Sequence, residues 1–183
     1  MNSNRICPVE RASGLDNSIR RYLQNPSKIL KPYIHEGMTI LDLGCGPGVF
    51  TIEFARQLNG SGKVIAADLQ EGMLEKIKNK IKGSDLERLI ELHKCEENRT
   101  GITENVDFIL CFYMIHEVPD QANLFRELKS ILKPEGKLYI IEPKFHVSAR
   151  AFRDMLNKLN SIGFEIIESP KVFFSRAVVL IKS

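Results

Sequence analysis

The sequence predicts an α/β protein with a doubly wound, mostly parallel sheet of seven strands. Three observations support this prediction. Apolar runs alternate five times with segments of helical periodicity. A glycine-rich turn, with Gly44, Gly46 and Gly48, joins the first strand to the first long helix. The connection from about residue 168 to 176 is too short for a crossover helix, so strand 7 should pair antiparallel with strand 6.

The bulk composition is that of one globular domain. The chain has 183 residues, of which 43% are hydrophobic and 27% charged. Its net charge of +3 is too small to indicate a nucleic-acid partner. Its cysteines, at positions 7, 45, 95 and 111, form no C-x-x-C pair and suggest reduced thiols rather than disulfides or zinc. No run reaches the roughly 18 apolar residues of a membrane helix, and no leader is visible. We therefore expect one domain over residues 1–183, in the cytoplasm, as a monomer or homodimer.

The spacing of apolar residues and the positions of turn-forming residues predict the helices and strands. Residues 1–37 precede the first strand and should hold two short helices, 16–24 and 26–34, the second beginning at Asn25-Pro26. A turn over Lys133-Pro134-Glu135-Gly136 should precede strand 5. The predicted strands are Met38–Leu43, Lys63–Asp68, Leu89–Lys94, Val106–Cys111, Lys137–Ile141, Phe164–Ile167 and Ala177–Ile181. Helices should follow strands 1 and 2, begin at Asp120 after strand 4, and span Ser148–Ile162 after strand 5.

The turn after the first strand is the most informative stretch. Asp42 is followed by three glycines at every second position, in the pattern D-x-G-x-G-x-G. A dinucleotide fingerprint, G-x-G-x-x-G, would place its third glycine at position 49, which is Val49. Glycine lets a ligand approach the backbone closely, and the helix N-terminus behind it offers free N–H groups.

This stretch resembles motif I of the class I S-adenosylmethionine-dependent methyltransferases. The resemblance covers roughly residues 25 to 183 and is greatest to the small-molecule branch that includes the ubiquinone and menaquinone methylases. It implies a Rossmann-like sheet of order 3-2-1-4-5-7-6, S-adenosylmethionine as cofactor, and methyl transfer to a small, aromatic or lipophilic acceptor. It also implies that the N-terminal segment, with Arg20, Arg21 and Tyr22, can fold over the cofactor as a lid, although these side chains also suit a solvated face.

The cofactor should bind beyond the carboxyl ends of the strands, at the switch point between strands 1 and 4. The resemblance implies that Asp68 receives the ribose hydroxyls, although it could instead cap the next helix. Asp42 could also be a structural acid that holds the glycine turn through backbone N–H groups, and Met73 could be core. After strand 3 the family's usual acid-small pair is replaced by Cys95-Glu96, which leaves two candidates for the adenine contact. The expected cofactor residues are Asp42, Gly44, Cys45, Gly46, Gly48, Asp68, Leu69, Met73, Cys95, Glu96, Cys111 and Phe112.

Methyl transfer from a sulfonium needs alignment, and a base only when the acceptor carries a proton of high pKa. The segment after strand 4 resembles that of the quinone methylases, and its His116 and Tyr113 are the candidate catalytic residues. A histidine that only bonds a loop is the alternative. His146, after the Glu142-Pro143 pair, is a candidate to line the substrate cavity.

Other functions are disfavoured by the same segment. It reads Cys111-Phe112-Tyr113-Met114 and lacks the N-P-P-Y or D-P-P-Y of enzymes that methylate exocyclic base nitrogens. The cysteines do not form an arsenite-binding trio, and no metal site is expected. Two alternatives stay open: a non-catalytic S-adenosylmethionine-binding module or partner subunit, and an NAD-dependent oxidoreductase.

Overall fold

A computed structural model describes residues 24–183 of the chain. The helices of this part are α1 (Pro26–Leu30), α2 (Val49–Gln57), α3 (Glu71–Ile81), α4 (Gln121–Ile131) and α5 (Ala149–Ile162), with one 3-10 turn, η1 (Ile115–Glu117). The strands are β1 (Thr39–Leu43), β2 (Lys63–Asp68), β3 (Ile90–Lys94), β4 (Val106–Phe112), β5 (Leu132–Pro143), β6 (Phe164–Glu168) and β7 (Ser175–Lys182). The predicted helix over 16–24 and the predicted lid residues lie almost wholly outside the described residues.

The strands form one sheet of seven, in the order β3-β2-β1-β4-β5-β7-β6. β1 is parallel to β2 and β4, β2 to β3, and β4 to β5. β7 is antiparallel to β5, and it is antiparallel to β6 as the short connection between these two strands requires. The predicted fold class, strand order and direction of strand 7 are confirmed. The order reverses between β1 and β4, which places their carboxyl ends on either side of a crevice.

Both faces of the sheet are covered, and each face has its own apolar core. On one face α1, α2 and α3 contribute Leu30, Phe54 and Ile77. On the other face α4 and α5 contribute Leu128 and Leu159. Strand residues alternate between the two cores because successive side chains point to opposite faces. Neighbours in β1 show this, since Ile40 belongs to the first core and Leu41 to the second.

Two element boundaries differ from the prediction. The helix expected over 26–34 ends at Leu30, and the following turn lets Tyr33 pack against Phe108 and Tyr139, with ring centroids 6.0 and 5.2 Å away. Burying the Tyr33 ring among these aromatic side chains stabilises the fold more than another turn of a short, marginal helix would.

Strand β5 begins before and ends after its predicted limits. The predicted turn over residues 133–136 lies inside it as an irregular segment, because Leu132 pairs with Val106 whereas Lys137 already pairs with Phe108. At its other end, the prediction places Glu142 and Pro143 after the strand. They are its last two residues, paired with Arg176 and Ser175 of β7. This pairing fixes Glu142 at the edge of the switch-point crevice.

Among residues 24–183, no helix is long and apolar enough to cross a membrane.

Candidate active site

A cavity of about 1450 Å³ opens at the carboxyl ends of the parallel strands. The loops after β1, β2, β3 and β4 form most of its wall, and Pro143, Phe145 and His146 at the end of β5 close one side. This is the position at which open α/β sheets bind ligands.

The three glycines after β1 have different roles. All have positive φ, at +69° for Gly44, +52° for Gly46 and +82° for Gly48. A Cβ added to Gly44 would lie 2.9 Å from Met114, and one added to Gly48 would lie 2.6 Å from Ile77, so these two glycines permit close packing. A Cβ on Gly46 would meet nothing within 4 Å, because this glycine faces the cavity. The backbone is therefore open to a ligand at Gly46.

Asp68 holds the glycine turn from the neighbouring strand. Its Oδ2 accepts a hydrogen bond from the backbone N–H of Gly46 at 2.9 Å, and its Oδ1 accepts from Gln70 at 2.8 Å. Burial raises the pKa of Asp68, and the bonds from Gln70 and Gly46 and the charge of Lys94 act against that rise. Asp68 lines the cavity, so its carboxylate is placed both to brace the turn and to meet a polar ligand.

Asp42 does not hold the turn through backbone N–H groups, which was its expected structural alternative. It is buried, and its Oδ2 accepts a hydrogen bond from the hydroxyl of Thr51 in α2 at 2.5 Å. The N–H groups of Gly44 and Cys45 donate instead to the carbonyl of Ala67, at 2.8 and 3.1 Å. Burial raises the pKa of Asp42 to about 7, although the Thr51 hydroxyl lowers it and Asp68 raises it further.

The acidic side chain of Glu96, in the loop after β3, is paired within that loop. The carboxylate of Glu96 forms two hydrogen bonds with the guanidinium of Arg99, at 2.7 and 2.9 Å. Cys95 is buried next to it, and its backbone N–H donates to the carbonyl of Asp68 at 3.0 Å. Both Cys95 and Glu96 line the cavity. Cys95 and Glu96 are the two candidates for an adenine contact. Glu96 could make this contact only by sharing its carboxylate with Arg99 or by giving up that pairing.

Ten of the twelve expected cofactor residues line the cavity, and two do not. Gly48 packs against Ile77 of α3, as its missing Cβ requires. Cys111 is fully buried in the core formed with α4 and α5, where burial raises the pKa of its thiol well above the ordinary value. Its strand position was predicted correctly, but its side chain points into the core. The residues that line the cavity are Asp42, Gly44, Cys45, Gly46, Asp68, Leu69, Met73, Cys95, Glu96 and Phe112.

Tyr113 lines the aromatic wall of the cavity, but its hydroxyl belongs to a structural network. The ring stacks on Phe112, with centroids 4.2 Å apart. The hydroxyl accepts from the Gln24 amide and is 2.6 Å from the hydroxyl of Ser175, which in turn donates to the carbonyl of Phe173. Tyr113 also has a φ of +59°, which turns the chain from β4 into the cavity wall. This network leaves His116 as the stronger candidate for a base.

His116 is held by a buried carboxylate that was not predicted as its partner. Nδ1 of His116 lies 2.5 Å from Oε2 of Glu142, and the other oxygen of Glu142 accepts from the N–H of Ile115 at 3.0 Å. Glu142 is 1% exposed, whereas the His116 side chain is 24% exposed and lines the cavity. Burial lowers the pKa of His116, but the hydrogen bond and charge of Glu142, with the charge of Glu117, raise it more, so the net direction is upward.

His146 lines the cavity, as expected, and contacts His116. The two imidazole rings stack with centroids 5.5 Å apart and planes 15° from parallel. Phe145 lies against His146 and extends this wall outwards. The Glu142-Pro143 pair is visible in the sequence, but the contact of Glu142 with His116 depends on the packing of β5 beside the end of β4. No group of three metal-ligating side chains is present in residues 24–183.

Comparison with known proteins identifies the family of the chain. Residues 34–169 match a family model described as a methyltransferase domain. The chain is 34% identical over 110 residues to demethylmenaquinone methyltransferase of Lactobacillus johnsonii, covering 60% of this chain and 45% of that protein. It is 29% identical over 110 residues to the ubiquinone/menaquinone biosynthesis C-methyltransferase UbiE of Escherichia coli, covering 60% of this chain and 44% of that protein.

A solved structure is similar over nearly the whole chain. A SAM-dependent methyltransferase from Aquifex aeolicus superposes with a TM-score of 0.87 at 28% identity, covering 97% of this chain and 100% of that one. The chain therefore belongs to the methyltransferase domain family. It matches less than half the length of the two quinone-biosynthesis relatives.

Proposed function

We propose that this protein transfers a methyl group from S-adenosylmethionine to a small-molecule acceptor. The observation that supports this most directly is the open backbone at Gly46, next to the Asp68 carboxylate, at the switch point of a methyltransferase sheet. The names of the relatives, two quinone methyltransferases and one SAM-dependent methyltransferase, agree with this reaction.

The residues of the cavity suit this cofactor. The open space at Gly46 can take the amino acid portion, and the carboxylate of Asp68 can receive the ribose hydroxyls. Leu69 and Met73 would flank the adenine, with Cys95 at its edge because Glu96 is paired with Arg99. When bound, S-adenosylmethionine supplies a methyl group already activated by the sulfonium.

The charges of the cavity favour a cationic ligand. Asp42 and Asp68 both line it. Asp68 raises the pKa of Asp42, and both carboxyl groups add to the effect of burial in raising the pKa of the Cys45 thiol, so the two acids lie close together. Negative charge in a partly enclosed site attracts a sulfonium and an ammonium group. The protein's remaining task is to align donor and acceptor, which can supply a large share of the rate enhancement.

The acceptor that fits the remaining wall is small and aromatic or lipophilic. Phe112 and Tyr113 stack on each other, Tyr113 meets Phe145 edge-on with ring centroids 6.3 Å apart, and Phe145 lies against His146, so these rings form one aromatic wall. His116 stacks on His146 next to this wall and is the candidate base for an acceptor that must lose a proton.

Calorimetry with S-adenosylmethionine, S-adenosylhomocysteine and NAD tests the cofactor. We expect the first two to bind and NAD not to bind, and tight NAD binding alone would restore the oxidoreductase alternative. Turnover of radiolabelled donor with a pool of small metabolites then tests catalysis. Donor binding without any transfer would indicate the non-catalytic module.

The cellular location, the oligomeric state and the partners of the enzyme are also proposals. Cys45, Cys95 and Cys111 are free, which suits the reducing cytoplasm. We expect a monomer or homodimer without a nucleic-acid partner, which light scattering of the purified protein and its retention on nucleic-acid columns would test.

A further inference from the structure

The contact between His116 and Glu142 has a consequence for how a proton leaves the acceptor. A neutral imidazole carries its proton on one nitrogen and accepts on the other. A carboxylate can only accept, so a carboxylate 2.5 Å from Nδ1 keeps the proton on Nδ1. Within residues 24–183, Nε2 of His116 has no hydrogen-bond partner, and the ring lines the cavity.

We propose that Glu142 is a positioning residue that holds His116 with its proton on Nδ1, so that Nε2 presents its lone pair to the acceptor. This proposal rests on the proposed methyl transfer and deepens it, because it assigns the acceptor class. The acceptor carries a proton that must leave, as an aromatic hydroxyl does. The proton moves to Nε2, and the electron pair of the broken O–H bond stays on the oxygen. That oxygen forms the new bond to the methyl carbon, and the old carbon–sulfur pair stays on sulfur.

The geometry around Glu142 restricts the imidazole in more than one direction. Its Oε1 accepts from the N–H of Ile115, which ties the carboxylate to the turn that carries His116. His146 stacks on one face of the His116 ring. Glu142 is 1% exposed, so its carboxylate is enclosed by protein, and its pairing with Arg176 fixes its backbone at the end of β5.

Other charged and titratable groups of the described part of the chain lie around this pair. Glu117 lies beside His116 on η1, and its charge acts in the same direction as that of Glu142. Arg176 of β7 pairs in register with Glu142, and its buried Nε has no hydrogen-bond partner among residues 24–183. Burial raises the pKa of the Cys111 thiol in β4 well above its ordinary value and the charge of Glu142 raises it further, so this thiol stays neutral. The second imidazole, His146, comes from the loop after β5.

Side-chain nitrogen NMR of the full chain, labelled with ¹⁵N, measures the tautomer without an acceptor. The chain has four histidines, and a His116→Gln variant identifies the His116 signals. Free imidazole side chains favour the proton on Nε2. We expect the neutral form of His116 in the wild-type protein to carry it on Nδ1. A proton on Nε2 in the wild-type protein would overturn the proposal, even if no variant of Glu142 folds.

The variant Glu142→Gln tests the cause. In the variant, the N–H of Ile115 needs the amide oxygen as its acceptor, so the amide NH2 faces Nδ1 of His116. We therefore expect the tautomer ratio of His116 to shift toward Nε2–H by roughly tenfold to a hundredfold, as for a lost bond to a charged group. The pKa of His116 should also fall, because the charge of Glu142 raises it in the wild-type protein. Glu117→Gln is the matched control, since it removes a neighbouring charge and should lower the pKa slightly without changing the tautomer. An unchanged tautomer in Glu142→Gln would contradict the proposal.

These outcomes are separate from those of the proposed function. If S-adenosylmethionine fails to bind in calorimetry while His116 shows the Nδ1–H tautomer, the methyl transfer is wrong and the positioning contact stands. If the donor binds but the tautomer is Nε2–H, the methyl transfer stands and Glu142 has only a structural role.

Discussion

Gly46 and Gly48 are two residues apart in one motif, yet the structure gives them different physical roles. Gly46 has open space beside it in the cavity, whereas Gly48 has Ile77 within 2.6 Å of an added Cβ. The motif alone treats them alike. Their substitution should therefore separate ligand binding from folding.

Replacing Gly46 with Val should abolish binding of S-adenosylmethionine while the domain still folds. The added branches would enter the cavity, and the φ of +52° would cost about 1–2 kcal/mol in a residue with a Cβ. Calorimetry and the melting temperature measure both effects. Gly48→Ala is the control, because its methyl group meets Ile77 and should lower the melting temperature more. Wild-type affinity in Gly46→Val would place the ligand elsewhere.

Asp68→Ala should weaken both the ligand complex and the free protein. The lost carboxylate removes a proposed bond to the ribose, worth about 1.5–3 kcal/mol if the group is charged. It also leaves the N–H groups of Gly46 and Gln70 without their acceptor, so the melting temperature should fall as well. Asp68→Asn keeps an acceptor and should recover part of the melting temperature but not the affinity. Unchanged affinity in Asp68→Ala would show that the ribose is placed wrongly.

At the scale of elements, side-chain caps fix the starts of α4 and α5. Asp120 accepts from Asn123 at the start of α4 and lines the cavity, so this cap also positions the wall after β4. Ser148 caps α5 in the same way, with its hydroxyl accepting from Ala151, and Gly163 ends that helix at a φ of +94°. Both helix starts were predicted from the sequence, and the one at Asp120 contributes to the cavity wall.

Ser148→Ala should destabilise the protein by about 1 kcal/mol, the usual cost of losing an N-cap side chain. Chemical denaturation gives the free energy of unfolding. Ser130→Ala is the control, since its exposed hydroxyl only donates back to the carbonyl of Glu127 within α4. Donor affinity should stay unchanged, because α5 does not line the cavity. A loss as large in Ser130→Ala would mean that capping is not the cause.

At the scale of the whole molecule, stability should depend on pH through buried groups near the site. The pKa of Asp42 is raised to about 7 in the folded protein, so the folded state binds a proton more tightly than the unfolded chain. Stability contributed by this proton is present at low pH and is lost as pH rises toward the folded pKa. His116, whose pKa is also raised, acts with the same sign.

The free energy of unfolding should therefore fall between about pH 4 and pH 7, and Asp42→Asn should flatten this decline. Asn keeps an acceptor for the Thr51 hydroxyl and cannot ionise. Denaturation of both proteins at several pH values gives the difference, which removes the contribution of His116. Thr51→Val is the second comparison, because losing the donor should raise the Asp42 pKa further. Parallel curves for wild type and Asp42→Asn would show that Asp42 does not cause the decline.

Local signals along the chain were enough to predict the fold and the location of the cavity. The spacing of apolar residues, the glycine turn and the short last connection predict the seven strands and the end of β1. Each of these signals comes from residues that are near one another in the chain. The start of β2 and its terminal Asp68 were predictable for the same reason. These signals were weaker where packing competes with propensity, as at Tyr33 and along β5.

The pairing of individual side chains, in contrast, depends on the packed molecule. Glu142 contacts His116 from 26 residues away, Asp42 is bonded to Thr51 rather than to the glycine turn, and Cys111 points into the core. Such contacts depend on strand register and on which face of a strand a residue occupies. A shift of one residue reverses that face, so sequence reasoning finds the end of a strand more readily than the partner of a single side chain.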